Sequence, residues 1–200
     1  MGGGGKEALS YLVNIIPTNE FRIRDSAIFM VDDDFYEESE VLGISVIKKS
    51  TFNPNSYKVV VAVHDPFKRK KMVQSLPNHT IFTTIIHPTA IISNWVEIGE
   101  GGIIGPYAVL TTDIKIGRHA IVNYGVTIGH DCSIDNFFTA APAVNISGNC
   151  KINECVYIGT NSSVKENISI QNNVTVGMGG VVIRDIKEPG TYVGNPLRKI

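Results

Sequence analysis

Residues 86–182 read, in groups of six, IHPTAI, ISNWVE, IGEGGI, IGPYAV, LTTDIK, IGRHAI, VNYGVT, IGHDCS, IDNFFT, AAPAVN, ISGNCK, INECVY, IGTNSS, VKENIS, IQNNVT, VGMGGV and a final V. The first letter is aliphatic at all seventeen positions from Ile86 to Val182. Apolar residues make up only 43% of the chain, so chance does not explain this run. A fixed six-residue period is typical of a β-helix.

Two other positions of the group support this interpretation. The second letter is usually small or turn-forming, as in Gly99, Gly117 and Gly129, and we expect these residues to supply positive φ angles at corners. The fifth letter is mostly small or apolar, as in Ala108 and Val144. Two inward positions separated by a corner predict a three-sided prism of five to six coils, stacked at roughly 4.8 Å. No group is interrupted, so no long loop leaves the prism.

Composition excludes several classes of protein. The chain has 200 residues and a formal net charge of −1, without a basic stripe for nucleic acid. It has no apolar run of about 18 residues, so we predict no membrane span. No basic-plus-apolar signal pattern opens the chain, so we expect a cytoplasmic protein.

The cysteines predict a packed interior. Three cysteines, an odd number, argue against a disulfide framework. Cys132 and Cys150 are eighteen residues apart and share the inward register, so we expect reduced core thiols stacked one coil apart. Metal or redox chemistry is the alternative.

Residues 1–85 follow a different pattern and form a predicted first domain, with the prism at 86–200. Apolar runs predict strands over 27–31, 42–47, 57–63 and 81–85, and helical spacing predicts helices over 7–16 and 66–76. Pro66 suits the first turn of the second helix. The alternation favours a small Rossmann-like α/β unit with a parallel sheet.

A glycine run opens the first predicted helix, and acidic residues follow the next strand. Gly3, Gly4 and Gly5 would let a backbone approach phosphate, while Asp32 and Asp33 would meet a base or ribose. The strand that normally precedes such a turn is missing. The glycines could also be an expression scar.

Several motifs occur together in an order that resembles one family. These are the glycine run with Lys6-Glu7, the Asp pair, the sequence HPTAI at 87–91, GHDC at 129–132, AVNISGN at 143–149 and VGNP at 193–196. The chain resembles the bacterial sugar O- and N-acyltransferases related to sialic acid O-acetyltransferases. Its pattern is closest to the N-acetyltransferases of nucleotide-linked 4-amino sugars. This resemblance implies a left-handed β-helix, homotrimers with active sites between subunits, and acetyl-CoA as co-substrate.

His130 carries the expected chemistry. It follows the inward Ile128 by two residues, so it lies at an outer corner. Acetyl transfer to an amine needs a base, and imidazole suits this work at neutral pH. The resemblance makes His130 the proton acceptor and Asp131 the residue that tunes it, although known relatives carry Glu there. We expect His119 to lie at the surface, and His64 to be a candidate nucleotide contact.

The resemblance also implies the binding residues. A backbone N–H near Gly148, eighteen residues beyond His130, would hold the thioester oxygen. Thr139, Thr160 and Met178 match cofactor-contacting positions, and Gly177 would let the pantetheine arm pass close to the backbone. The nucleotide sugar would bind the first domain. Its nucleotide, which could be UDP, dTDP or GDP, cannot be inferred from these residues.

Three alternatives remain open. The first is O-acetylation of a sugar such as sialic acid, using the same His130. The second is a zinc hydratase on the same prism, but His119 and His130 are eleven residues apart and share no face. We therefore expect no metal. The third is a binding or assembly protein that kept the prism without the reaction.

Overall fold

The computed structural model describes residues 3–15 and 23–200, and its main feature is a solenoid of short parallel strands. Between Ile85 and Val182 the strands pair with strands eighteen residues away in the sequence: Ile121, for example, aligns with Ile103 and with Thr139. A left-handed parallel β-helix fits this arrangement, as predicted. Its strands are β6 (Ile85–Ile86), β7 (Ile91–Ile92), β8 (Val96–Ile98), β9 (Ile103–Ile104), β10 (Val109–Leu110), β11 (Ile114–Ile116), β12 (Ile121–Val122), β13 (Thr127–Ile128), β14 (Ser133–Ile134), β15 (Thr139–Ala140), β16 (Asn145–Ile146), β17 (Lys151–Ile152), β18 (Tyr157–Ile158), β19 (Ser163–Val164), β20 (Ser169–Ile170), β21 (Val174–Val176), β22 (Val181–Val182), β23 (Gly190–Val193) and β24 (Arg198–Lys199).

The strands form three stacked sheets, whose outer surfaces we call the first, second and third faces. The first face contains β6, β9, β12, β15, β18, β21, β23 and β24. The second contains β7, β10, β13, β16, β19 and β22, and the third contains β8, β11, β14, β17 and β20. The first corner is the turn from the first face to the second. The second corner leads from the second face to the third, and the third corner leads back to the first.

Aliphatic side chains of the repeat fill the interior. Ile104, Val122, Ile128 and Ile158 have no exposed surface, and the fifth-letter residues such as Val144 lie in the same cluster. Burial of aliphatic side chains stabilises each coil by about 1.5–3 kcal/mol per residue. The predicted inward registers are therefore confirmed.

The corners use positive φ angles at a different position from the one we predicted. From Gly101 to Gly179 the left-handed residue is the fourth letter of each group, as in Asp131 and Asn149, whereas Thr89 and Trp95 of the first two groups do not have a positive φ. The glycines at the second letter are required for another reason. A Cβ on Gly129 would lie 2.6 Å from Gly148 N, because the backbone of the next coil passes directly over it. These positions need glycine for close approach rather than for backbone freedom.

The solenoid is longer than the repeat indicates. β23 extends the first face beyond Val182 by parallel pairing with β21, and β24 then pairs with β23 in the antiparallel direction. The estimate of five to six coils omitted these strands because their residues leave the six-residue period. The peptide bond between Asn195 and Pro196 is cis.

The segment before the solenoid contains short elements. They are α1 (Gly3–Val13), α2 (Ile23–Ser26), β1 (Phe29–Val31), β2 (Glu40–Val41), β3 (Ile44–Lys48), β4 (Lys58–Val59), α3 (Pro66–Gln74) and β5 (Ile81–Phe82), with 3-10 turns at Asp33–Phe35 and Lys49–Thr51. Asp65 caps α3 by accepting hydrogen bonds from Phe67 N and Lys68 N, with Pro66 in the first turn.

This segment does not form the predicted Rossmann-like parallel sheet. β1, β3 and β2 form one sheet in which β2 and β3 are antiparallel, and β4 and β5 form a separate parallel pair. Among the described residues no strand joins the two sheets, so the run 57–63 pairs only at β4. Part of its extended backbone has no neighbouring strand there.

The same segment covers the first face of the solenoid. Outward side chains of that face, Ile103, Ile121 and Thr139, are 4%, 2% and 0% exposed. Arg69 of α3 is fully buried on it and donates to the carbonyl oxygens of His119 and Phe138. Burial lowers the pKa of Arg69 to about 10. In the described part of the chain, no helix has the length and apolar character needed to cross a bilayer.

Candidate active site

His130 lies at the second corner, between β13 and β14, and its ring faces outward as predicted. Its side chain is 64% exposed. Nδ1 lies 2.6 Å from Asp131 Oδ2, a distance for a strong hydrogen bond. Asp131 adopts φ 58°, which turns its carboxylate back toward the preceding residue. Because the carboxylate accepts the Nδ1 proton, Nε2 carries the lone pair that can accept another.

Gly148 lies directly over this histidine in the next coil. A Cβ at position 148 would lie 2.7 Å from His130 Nε2 and 2.8 Å from its Cε1. The imidazole therefore occupies space that any other residue at 148 would fill. Asn149 N also donates to the His130 carbonyl at 2.7 Å, which fixes the two coils relative to each other. The structure thus brings together His130, Asp131 and Gly148.

Thr160, Gly177 and Met178 form a second group, at the first corner. Gly179 N donates to the Thr160 carbonyl at 2.8 Å, and Met178 is 78% exposed. A Cβ on Gly159 would lie 2.6 Å from Met178 N, so Gly159 lies beneath Met178 in the same way as Gly129 lies beneath Gly148. The two groups lie at opposite edges of the second face. One chain therefore does not place Met178 beside His130.

The second face between these edges differs from the third in charge. Its outward residues are uncharged: Ile91, Val109, Thr127, Asn145, Ser163 and Val181. The third face carries Glu97, Lys115 and Lys151, and a Lys115–Glu97 ion pair of 3.8 Å crosses it. The exposed Ile91, at 65%, belongs to the second face. An uncharged, partly apolar face beside an exposed histidine is suited to contact with another surface.

Thr139 occupies a different environment from the predicted cofactor groove. It is fully buried beneath α3, where its hydroxyl donates to the His64 carbonyl at 2.8 Å and accepts from Arg69 Nη2 at 2.9 Å. It has no exposed side-chain surface to offer to a ligand. We therefore leave Thr139 out of the proposed cofactor site.

His64 and Gly4 lie together in a small pocket where α1 meets the first corner. His64 Nε2 is 3.3 Å from Glu7 Oε2 and 3.4 Å from Asn123 Nδ2. Tyr11 Oη completes the group by contacting both Glu7 and Asn123. Burial raises the pKa of Tyr11, so the phenol stays protonated and keeps these bonds.

The glycine run lies inside the first turn of α1 rather than before it. Gly4 packs closely on the backbone, since a Cβ there would lie 2.2 Å from the Ala62 carbonyl oxygen. Gly3 has open space around it. Gly4 thus lines the His64 pocket from the first turn of α1, which Gly3, Gly4 and Gly5 form, and the first N–H groups of a helix have no acceptor within the helix itself.

Asp32 and Asp33 lie apart from that pocket. Asp32 pairs with Lys49 at 3.2 Å and lines a separate small cavity with Met30 and Ser75. Asp33 accepts from Ser50 N at 3.0 Å, and hydrogen bonds from Ser50 lower its carboxyl pKa. The structure therefore groups Gly4 with His64, and Asp32 with Asp33, in two different places.

The prediction that His119 lies at the surface is wrong. This residue of the third corner is 2% exposed, and its ring packs edge-on to Phe82 and stacks on Phe137. Burial lowers its pKa to about 4, with Arg118 contributing. Its Nδ1 has no hydrogen-bond partner among the described residues.

Sequence reasoning missed the polar residues that connect the two parts of the chain. Arg69, Asn123 and Tyr11 gave no motif signal, because each acts through contacts across more than 45 positions. Of these three residues, only Asn123 had a sequence signal: it is a polar residue directly after the inward Val122. Over residues 3–15 and 23–200, no group of three or more His, Cys, Asp or Glu side chains could hold a metal ion.

Comparisons with known proteins place this geometry in context. No family model and no curated protein sequence matches the chain. Solved structures do. A histidine-to-asparagine variant of perosamine N-acetyltransferase from Caulobacter crescentus, in complex with CoA and GDP-perosamine, has a TM-score of 0.88 at 26% identity, covering 100% of this chain and 93% of that one.

Two further structures agree. The acetyltransferase domain of PglB from Neisseria gonorrhoeae, in complex with acetyl coenzyme A, has a TM-score of 0.87 at 27% identity, covering 100% of this chain and 95% of that one. WeeI from Acinetobacter baumannii has a TM-score of 0.89 at 29% identity, covering 100% and 96%. The fold and these likenesses therefore fit the hexapeptide-repeat sugar acyltransferases, close to the amino-sugar N-acetyltransferases.

Proposed function

We propose that this protein is an acetyl-CoA-dependent N-acetyltransferase that acts on the amino group of a nucleotide-linked amino sugar. The observation that carries the proposal is His130. Its exposed ring is held by Asp131 on one nitrogen, 2.6 Å away, and is open on the other, beside the glycine backbone of the next coil. The neighbours that bind CoA and GDP-perosamine support the choice of an amine acceptor and an acetyl thioester.

The reaction follows from these groups. The sugar amine attacks the thioester carbonyl carbon, while His130 Nε2 accepts the proton that the nitrogen loses. Negative charge develops on the carbonyl oxygen, and the free N–H of Gly148 is placed to donate to it. The C–S bond then breaks, and the proton on His130 neutralises the departing CoA thiolate. Asp131 stabilises the imidazolium between these steps, so no metal is needed.

We infer that the site is completed by a second copy of the chain in a homotrimer. His130 and Gly148 lie at the second corner, while Thr160, Gly177 and Met178 lie at the first corner, across the whole second face. Three copies arranged in a ring would bring the second corner of each against the first corner of the next. Acetyl-CoA would then lie between them, and the uncharged second face would line the contact.

The nucleotide sugar would bind the segment that covers the first face. The helix start at Gly3, Gly4 and Gly5 favours phosphate, and His64 beside Gly4 offers a further polar contact. Asp32 and Asp33 lie apart from the His64 pocket, paired with Lys49 and Ser50, and are left out of this nucleotide site. A nucleotide-linked sugar is the activated form used in glycan assembly. We therefore place the reaction in the cytoplasm, in the synthesis of a surface polysaccharide.

Substrate panels test this function. Purified protein and acetyl-CoA are supplied with GDP-perosamine, with UDP- and dTDP-linked 4-amino sugars, and with free sialic acid. CoA release and product mass are then followed. We expect an amide product from at least one nucleotide-linked amino sugar, and a rise in melting temperature with the same compound. An ester product from sialic acid alone would replace this proposal with O-acetylation. Binding without any transfer would indicate a non-catalytic protein.

A further inference from the structure

Two polar side chains that point into the solenoid form hydrogen bonds with backbone groups at the corners of the next coil. Cys132 Sγ donates to the Ser147 carbonyl at 3.4 Å and accepts from Cys150 N at 3.5 Å. Ser162 Oγ repeats the pattern, donating to the Gly177 carbonyl at 2.9 Å and accepting from Gly180 N at 3.1 Å. In both cases the carbonyl is fifteen residues ahead and the N–H eighteen residues ahead.

The orientation of the held peptide is the important consequence. A trans peptide is planar, and its C=O and N–H groups point in opposite directions. When Cys132 holds the Ser147 carbonyl inward, the N–H of Gly148 is directed out of the coil. When Ser162 holds the Gly177 carbonyl inward, the N–H of Met178 is directed out in the same way.

Both outward N–H groups are open to a ligand. Gly129 and Gly159 lie beneath them, and a side chain at either position would lie 2.6 Å from the nitrogen above it. The structure gives Gly148 N and Met178 N no acceptor among the described residues. Two other corner N–H groups above glycines are occupied instead, since Arg118 N donates to Asn136 Oδ1 and Tyr124 N donates to Asn123 Oδ1. Asn136 N, above Gly117, also has no acceptor among the described residues, but it lies at the third corner, away from His130 and Met178.

We propose that Cys132 and Ser162 are positioning residues for acetyl transfer, which fix from inside the coil the two backbone N–H donors that face acetyl-CoA. This inference rests on the proposed function and deepens it. Cys132 acts through Gly148 at the His130 corner, and Ser162 acts through Met178 at the corner of the neighbouring copy. The buried thiol and hydroxyl are 2% and 0% exposed, so neither touches substrate.

Thr84 offers a matched control within the same chain. Its Oγ1 donates to the Gly99 carbonyl at 3.2 Å and accepts from Gly102 N at 3.3 Å, which is the same pattern at the same spacing. The peptide that it holds, Gly99–Glu100, leads into the third corner, away from His130 and Met178. We therefore expect loss of this bond to lower stability without changing acetyl transfer.

The experiment compares Cys132→Val, Ser162→Ala and Thr84→Val in the full protein. Each replacement removes the donor. Thr84→Val keeps the shape of the side chain, Cys132→Val adds a little volume, and Ser162→Ala removes only the hydroxyl and so avoids overpacking a residue that is 0% exposed. Steady-state kinetics with acetyl-CoA and an active amino sugar give kcat and KM, calorimetry gives the Kd for CoA, and melting curves report stability. We expect Cys132→Val to lower kcat about tenfold with little change in CoA affinity, because an oxyanion donor acts mainly in the transition state.

Ser162→Ala is expected to weaken CoA binding about fivefold, because the peptide that Ser162 holds would contact the bound cofactor. Thr84→Val should change neither kcat nor Kd. Cys132→Ser keeps a donor and should restore kcat to within about twofold.

Two outcomes would overturn the inference. If Cys132→Val retains full kcat and only melts earlier, as Thr84→Val should, the thiol is merely a core residue. If Cys132→Ser is as impaired as Cys132→Val, donation to Ser147 is not the cause. A wild-type protein that neither binds CoA nor transfers acetyl would instead defeat the proposed function, and this inference with it.

Discussion

Two histidines at neighbouring corners of one solenoid have opposite environments. His119, at the third corner, is 2% exposed between two phenylalanine rings, and burial lowers its pKa to about 4. His130, at the second corner, is 64% exposed and pairs with a carboxylate 2.6 Å away. Both lie in the same repeat, eleven residues apart.

The difference comes from what covers each corner. Phe82 reaches the third corner from the segment before the solenoid, and Arg69 donates to the His119 carbonyl at 2.8 Å. No described residue covers the second corner, where Gly148 leaves space for the imidazole. A neutral, buried histidine packs the fold, while an open histidine with an oriented ring can move protons.

The largest expected effect is on the rate of acetyl transfer, which should depend on His130 and not on His119. His130→Ala removes the base and should lower kcat by about 10²- to 10⁴-fold, while the melting temperature changes little because the side chain is exposed. Initial rates of CoA release with an active amino sugar measure this. His119→Asn is the control and should retain most of the kcat of the folded enzyme. Equal rates for His130→Ala and wild type would remove His130 from the mechanism.

The next largest effect distinguishes the two histidines by how the stability of the fold changes with pH. The unfolded chain protonates His119 near its ordinary pKa of 6.5, but the folded chain does so only near 4, so the unfolded state binds more protons between these values. Stability from the neutral ring is present above pH 6.5 and is lost as the pH falls toward 4, by about 3 kcal/mol at most.

Urea unfolding at pH 7, 6, 5 and 4 tests this effect. His119→Asn should be less stable at pH 7, because it loses both ring contacts, and should lose less on acidification. His130→Asn should lose stability with acid as the wild type does. An unchanged acid response in His119→Asn would show that another group controls it.

The smallest effect concerns Asp131. Asp131→Asn keeps a similar shape but removes the charge that orients the ring and stabilises the imidazolium, so we expect kcat to fall about tenfold. Asp131→Glu, one methylene longer, should recover part of the rate if charge is the requirement. If Asp131→Asn were fully active, the carboxylate would have no part in the reaction, and Asp131 would serve only as a corner residue with a positive φ angle.

The regular part of the fold could be predicted because one short rule repeats. The six-residue period located the inward residues, the outward position of His130 and the stacking of Gly148 above it. It also placed Cys132 beneath Cys150, and the structure confirms both as free, buried thiols. Each of these features depends only on register.

Features that depend on contacts between distant segments could not be predicted in this way. His119 and Thr139 lie in outward registers, and both are buried because α3 and β5 cover them. The glycines at second-letter positions were assigned to positive φ angles, but the fourth letter has them, because clearance between coils cannot be read from one coil. The apolar run 57–63 is as long as a full strand, yet only Lys58–Val59 finds a partner.

Complementation between copies tests most directly whether the active site is shared. His130→Ala disables the second corner, and Met178→Asp places a carboxylate where the first corner would hold the cofactor. Each variant alone should be inactive. Unfolded together in equal amounts and reassembled, they should recover about a quarter of wild-type activity, because that fraction of sites in a ring combines two intact corners. Recovery of no activity from well-folded mixed oligomers would contradict the account, since it would mean that each site lies within one chain.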